Sequence, residues 1–176
     1  MLSCVPMLLT LGKKPRGEGL VDLLTACHER IRYFVGLARS LDLEAAPLEA
    51  NVDASARVHR YFVQAFPLHL EDEEEGVFVR LHGRSAAVDQ ALETMCAEHD
   101  EHAALVRELV EHTAAFERAP HESVRVVRRC AEELARVFEP HLRQEEEIIF
   151  PAIDQLLSEQ ERARMVTELR ARRHPV

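Results

Sequence analysis

The chain has 176 residues, a length suited to one domain with a single core and short for two. It has no tryptophan, only six glycines and much Leu, Val, Ala, Glu and Arg, which favours helices over a turn-rich all-β protein. A formal charge of -9, with Arg and Glu interspersed, excludes nucleic acid as the main partner, because phosphate binding needs a concentrated basic face.

Residues 1–19, "MLSCVPMLLTLGKKPRGEG", hold an apolar run with no basic segment before it and no small-residue cleavage pattern, so a secretory signal is not expected. The run is too short to cross a membrane and reads as an arm packed on the helices. From Leu20 a stripe through Leu24, Cys27, Ile31, Val35 and Ala38 predicts a first helix ending near Leu43. A second stripe from Val58 through Phe62, Phe66 and Val77 reaches Leu81 and stops at "HGRS". A third, from Val88 to Val110, stops before Pro120, and a fourth runs from Val127 past Pro151 to Leu157. "SEQE" at Ser158 is a capping box that starts a short fifth helix. The expected fold is therefore all-α: an up-down-up-down four-helix bundle over 20–157, preceded by the arm 1–19 and followed by a short helix and basic tail over 158–176. Cys4, Cys27, Cys96 and Cys130 show no CxxC spacing and read as reduced thiols, which points to a cytoplasmic setting.

Residues 66–78 read "FPLHLEDEEEGVF" and residues 138–150 read "FEPHLRQEEEIIF", the same unusual pattern 72 residues apart. His69 with Glu73, and His141 with Glu145, hold adjacent places on a core face, since a step of four residues rotates a helix by only about 40°. His28 and His99 interrupt the stripes of the first and third helices. Antiparallel pairing brings His28 level with His69 and His99 level with His141, at separations of 41 and 42 residues. A lone inward histidine is ordinarily a satisfied core residue. Two carboxylates buried beside four imidazoles instead call for a compensating cation, the bland alternative being a metal-free hydrogen-bond network. Imidazole with carboxylate and no thiolate suits iron, manganese or zinc better than magnesium or calcium.

Several neighbours have alternative roles. His102 is either a fifth nitrogen ligand or a histidine flanking the site. Glu74, Glu75, Glu146 and Glu147 read as solvated or paired with arginines, and Glu98 or Asp100 as a partner that orients an imidazole. Cys96 reads as a packed thiol rather than a redox handle. Gly76, whose repeat mate is Ile148, leaves either a gap for a small molecule or a close helix contact. Pro67 and Pro140 loosen the helix beside each motif histidine.

The order His28, "HLEDE", His99, "HLRQE" and then "EEEIIFP" resembles the hemerythrin-like, or HHE cation-binding, family over about 20–157. Ferritin-like bundles use Glu-x-x-His instead, and the chain has no such tetrad. The resemblance implies a bundle holding two iron ions, oxo- or hydroxo-bridged, with His28 and His69 on one ion, His99 and His141 on the other, and Glu73 and Glu145 bridging. Oxygen carriers of the family have a histidine where this chain has Ala103, so simple reversible O2 carriage is not implied. The expected role is to bind or sense O2, NO or peroxide, or to handle iron. The second reading is an enzyme that reduces peroxide or NO, or that repairs or supplies iron centres. The expected partners are a small diatomic or peroxide ligand, with neither nucleic acid nor membrane, the chain being a monomer or homodimer.

Overall fold

The computed structural model describes residues 19–173. Helix α1 spans Leu20–Arg39. Helix α2 begins as Leu48–Gln64 and continues through Phe66–Glu71, a π-helical stretch Asp72–Phe78 and a last turn Val79–Leu81. Helix α3 is Ala86–Ala115. Helix α4 runs from Pro120–Gln144 through a second π-helical stretch, Glu145–Ile149, to Phe150–Leu156, and α5 is Glu159–Arg173. Among the described residues there is no strand. Each of the four long helices packs against its neighbour in sequence, and α1 closes the ring on α4, as an up-down-up-down bundle requires. No described helix is long and apolar enough to cross a membrane. The expected arm 1–19 lies outside the described residues except for Gly19.

The stripes become buried faces. In α1, Leu24, Ile31, Val35 and Ala38 all point inward, at the spacing of a 3.6-residue period. Between α2 and α3 the chain turns at Gly83, whose φ of +81° is a left-handed conformation that only glycine adopts without strain. The predicted capping box is formed: Ser158 N–H donates to Glu161 Oε2 at 2.7 Å, and Glu161 N–H returns to Ser158 Oγ at 3.3 Å. The helix it starts is a full 15 residues, longer than the short appendage expected.

The apolar core is split into two. One cluster, including Ile31, Phe62, Phe66, Leu109, Leu134 and Phe138, fills the end where α1 leads into α2. The other, including Leu24, Val77, Leu92, Ile149 and Ile153, fills the opposite end and is completed by Met165 and Leu169 of α5. On each long helix the chain passes from one cluster to the other across one or two polar residues: His28, then His69 and Glu73, then His99, then His141 and Glu145. The polar layer is thus sealed above and below by packed hydrocarbon.

Candidate metal centre

The six polar residues converge. Ligand atoms of His28, His69 and Glu73 lie within 4.8 Å of one another, as do those of His99, His141 and Glu145. Glu73 faces both groups: its Oε1 is 3.5 Å from His28 Nε2, and its Oε2 is 3.3 Å from His69 Nε2 and 3.5 Å from His99 Nε2. Glu145 does the same, with Oε2 at 3.1 Å from His28 Nε2 and Oε1 at 3.2 Å from His141 Nε2. Atoms about 2.1 Å from a shared ion, at right or tetrahedral angles, stand about 3.0–3.4 Å apart, so these spacings are those of a coordination shell.

The hydrogen bonds test the fit of an ion. His28 Nδ1 is 2.8 Å from Glu146 Oε1, His99 Nδ1 is 2.7 Å from Glu74 Oε1, and His141 Nδ1 is 2.7 Å from Glu98 Oε2. A carboxylate only accepts, so each Nδ1 carries the proton and each Nε2 turns a lone pair inward. Two of those inward nitrogens, on His99 and His141, then meet at 3.2 Å. Two lone pairs cannot bond to each other, and the His28 lone pair likewise faces carboxylate oxygens; both arrangements call for a cation or an extra proton. His28 Nε2 and all four oxygens of Glu73 and Glu145 are buried without a hydrogen-bond partner in the protein. The residues fit a pair of metal ions.

The protonation of the chain itself tells the same story. Burial alone would lower the His28 pKa, but the Glu145 and Glu73 carboxylates outweigh it and raise it to about 10. Burial, followed by the neighbouring Glu145 charge, pushes the Glu73 carboxyl well up. Burial and the other imidazoles hold His69 well below its ordinary value. Without an ion, the layer favours protons on His28 and Glu73 and disfavours one on His69.

The carboxylates around the imidazoles correct the expected roles. Glu146 is paired with an arginine as expected, but it and Glu74 also have a role beside the imidazoles. Each accepts a hydrogen bond from the Nδ1–H of an imidazole on a neighbouring helix, and Arg32 Nη1 also donates to Glu146 at 2.8 Å. Burial works against the Glu146 charge, but Arg32 and His28 together hold its pKa below the usual range. Glu98 does orient an imidazole, on His141 rather than on its neighbour His99. A π-helical turn is wider than an α-turn, and here it lets Glu73 point inward while Glu74 reaches α3. The signal available in the sequence was a second glutamate directly after the inward one in both repeats. Glu74→Gln, Glu98→Gln and Glu146→Gln should each weaken metal binding by about 10–100-fold in a competitive chelator titration, with helix content unchanged.

His102 is buried, with its ring edge-on to His141 at 5.4 Å between centroids, and it belongs to neither ligand group. Gly76 opens no channel: a Cβ there would lie 3.7 Å from the Met165 methyl, so α5 closes that side by ordinary packing. Cys96 is half-buried, and burial raises its thiol pKa, as expected of a packed thiol. His59 hydrogen bonds to Val110 O and Thr113 Oγ1, away from the layer.

An apolar opening does reach the layer. A cavity of about 270 Å³ lies between α2, α3 and α4, with Phe62, Val106 and Phe138 among its apolar walls. His69, His99, His141 and His102 line it as well. No curated protein matches the chain. The model of the hemerythrin HHE cation binding domain matches residues 19–153, from the start of α1 into the last turns of α4. The chain belongs to the hemerythrin HHE cation-binding domain family.

Proposed function

We propose that the chain holds two iron ions, through His28, His69 and Glu73 on one side and His99, His141 and Glu145 on the other, and uses them to bind a small apolar molecule such as O2 or NO. The observation that carries this reading is the cavity of about 270 Å³, with apolar walls and three of the four imidazoles on its boundary. Bound iron would supply an electron-rich, redox-active binding point. The protein supplies the rest. Glu73 and Glu145 compensate cationic charge from two sides, and Glu74, Glu98 and Glu146 fix three imidazoles with Nε2 inward. Phe62, Val106 and Phe138 favour entry of an uncharged diatomic over water and ions.

His102 supports a second reading, an enzyme that reduces peroxide or NO. Its Nδ1 is buried without a protein partner, and burial and the neighbouring His141 push its pKa down to about 4. A neutral imidazole on the cavity wall can hold a proton beside an incoming ligand. The deciding test combines metal analysis of protein purified without chelator with anaerobic NO titration of wild type and Val106→Phe. Two irons per chain, with optical changes on NO addition that slow in Val106→Phe while iron content holds, are expected. Zinc, or no metal, would sink the reading. Multiple turnovers of peroxide or NO that are lost in His102→Ala would shift it to the enzyme.

A further inference from the structure

Three of the four site imidazoles have a carboxylate on Nδ1, and the fourth does not. His69 Nδ1 is buried without a hydrogen-bond partner in the protein, although the residue is only 2% exposed. The internal repeat identifies what stands in the partner's place. His28 maps onto His99 by 71 residues, while His69, Glu73 and Glu74 map onto His141, Glu145 and Glu146 by 72. The hydrogen bonds obey the same symmetry, since Glu74 on His99 mirrors Glu146 on His28. Applied to Glu98 on α3, which accepts from His141, the shift of 71 lands on Cys27 of α1. So the Nδ1 edge of His69 faces the Cys27 wall, where the repeat has a thiol instead of a carboxylate.

That wall encloses a second cavity, of about 220 Å³, bounded by Cys27, Arg30, Tyr61, Gln64, His69 and Arg173 among others. Its polar groups are largely donors. Arg30 Nη2 approaches Cys27 Sγ at 3.2 Å and has no carboxylate partner among the described residues. Arg173 Nη2 lies 3.7 Å from the same sulfur while also pairing with Asp72. Burial raises the Tyr61 phenol pKa and keeps its O–H. No acidic side chain lines the cavity. With Nε2 turned toward Glu73, His69 offers Nδ1–H as a further donor.

We propose that this cavity is a binding site for a small anion, a carboxylate or an inorganic oxyanion, that takes at His69 the place Glu98 takes at His141. The anion rests on the guanidinium of Arg30, with Arg173 adding positive charge, and accepts a hydrogen bond from His69 Nδ1–H. A volume of about 220 Å³ holds an ion of sulfate or acetate size and excludes most of a nucleotide. The site is distinct from the apolar cavity on the other side of His69 and selects the opposite chemistry, charge instead of apolarity. By linkage, an anion on Nδ1–H makes His69 a stronger base and tightens the ion held with His28 and Glu73, and that ion in turn tightens the anion.

The test is calorimetric titration of the metal-loaded full chain with sulfate, and separately with acetate, for wild type, Arg30→Ala and Cys27→Glu. Wild type should take up one anion per chain, and the preferred probe reports whether the site is shaped for a tetrahedral or a planar oxyanion. Arg30→Ala, a surface change, should weaken the anion about 10–100-fold, the worth of a charge-assisted hydrogen bond, while both metal ions stay bound. Cys27→Glu should abolish anion uptake by supplying the carboxylate from the chain, with circular dichroism checking its fold. Absence of saturable binding of either anion overturns the proposal, as does binding that Arg30→Ala leaves unchanged, which would put the anion on the metal or elsewhere. Arg30-dependent uptake by a chain that takes no metal would leave the anion site standing while sinking the iron reading.

Discussion

Replacing Glu145 by alanine should take metal loading from two ions per chain to at most one and leave the helices standing. Glu145 lies against both groups, through His28 at 3.1 Å and His141 at 3.2 Å, so its loss would strip a donor oxygen from each and remove a negative charge between them. Losing an outer partner costs about 10–100-fold in metal affinity, and a shared inner carboxylate should cost well over 100-fold. Glu73→Ala should behave alike, since Glu73 spans His28, His69 and His99. The metal-free helices should still stand, because Glu73 remains 3.5 Å from His28 and the repulsion between two buried carboxylates is gone.

The pH dependence of the metal-free protein follows with a definite sign. His28 carries a folded pKa of about 10, above the ordinary 6.5, so its contribution to stability is complete below about pH 6.5 and is lost as pH rises toward 10. Glu73, also raised, works in the same direction once pH passes the ordinary carboxylate range. Chelated wild type should therefore melt at falling temperature between pH 6.5 and 10. Glu145→Ala should flatten that slope, since Glu145 helps to raise both groups. Metal-loaded wild type should lack the slope, its ions standing where the protons were. A chelated wild type whose melting temperature is constant over that range would contradict the arrangement. Loss of helical circular dichroism in Glu145→Ala with metal retained would contradict the role of the carboxylate.

The bundle and the six convergent residues were legible because both depend on periodicity. Apolar stripes at 3.6 residues mark the helices, and an inward histidine or glutamate stands out only against such a stripe, as His28 does between Leu24 and Ile31. Matching heights across antiparallel neighbours then placed His28 by His69 and His99 by His141, the pairings found. The surrounding carboxylates were not legible in the same way. In a regular α-helix the residue after Glu73 points about 100° away from it, so Glu74 belongs to solvent. The π-helical stretch over Asp72–Phe78 changes that geometry, and no period in the sequence announces it. Glu98 was legible as the partner of an imidazole but not of which one, because its imidazole is on another helix, 43 residues away. The missing side chain at Gly76 left a gap or a close helix contact as alternatives, and the contact is what forms, so the apolar route to the layer is not there. It lies instead beside His102, between α2, α3 and α4, and Met165 of α5 packs beside Gly76.

The basic end of α5 has a larger role than a charged tail would have, and the double variant Arg172→Ala/Arg173→Ala should measure it. Asp72, next to Glu73 at the start of the π-helical stretch, is only 3% exposed. Arg172 Nη1 donates to its Oδ1 at 2.8 Å, and Arg173 Nη2 lies 2.6 Å from its Oδ2. Burial pushes the Asp72 pKa up, against the pull of Arg173 and Arg172, so its charge is retained at a cost that the two cations offset. Removing both leaves a buried carboxylate without compensation, for which the expected loss is about 3–5 kcal/mol. In a domain of this size that lowers the melting temperature by about 10 °C. Because Asp72 anchors the turn that aims Glu73, metal affinity should fall alongside stability. Asp72→Asn in the same background should restore most of the stability, since the uncompensated charge is then gone. If the double variant melts like wild type, α5 is held by the apolar contacts of Met165 and Leu169 alone, and the ion pair contributes nothing to shaping the site.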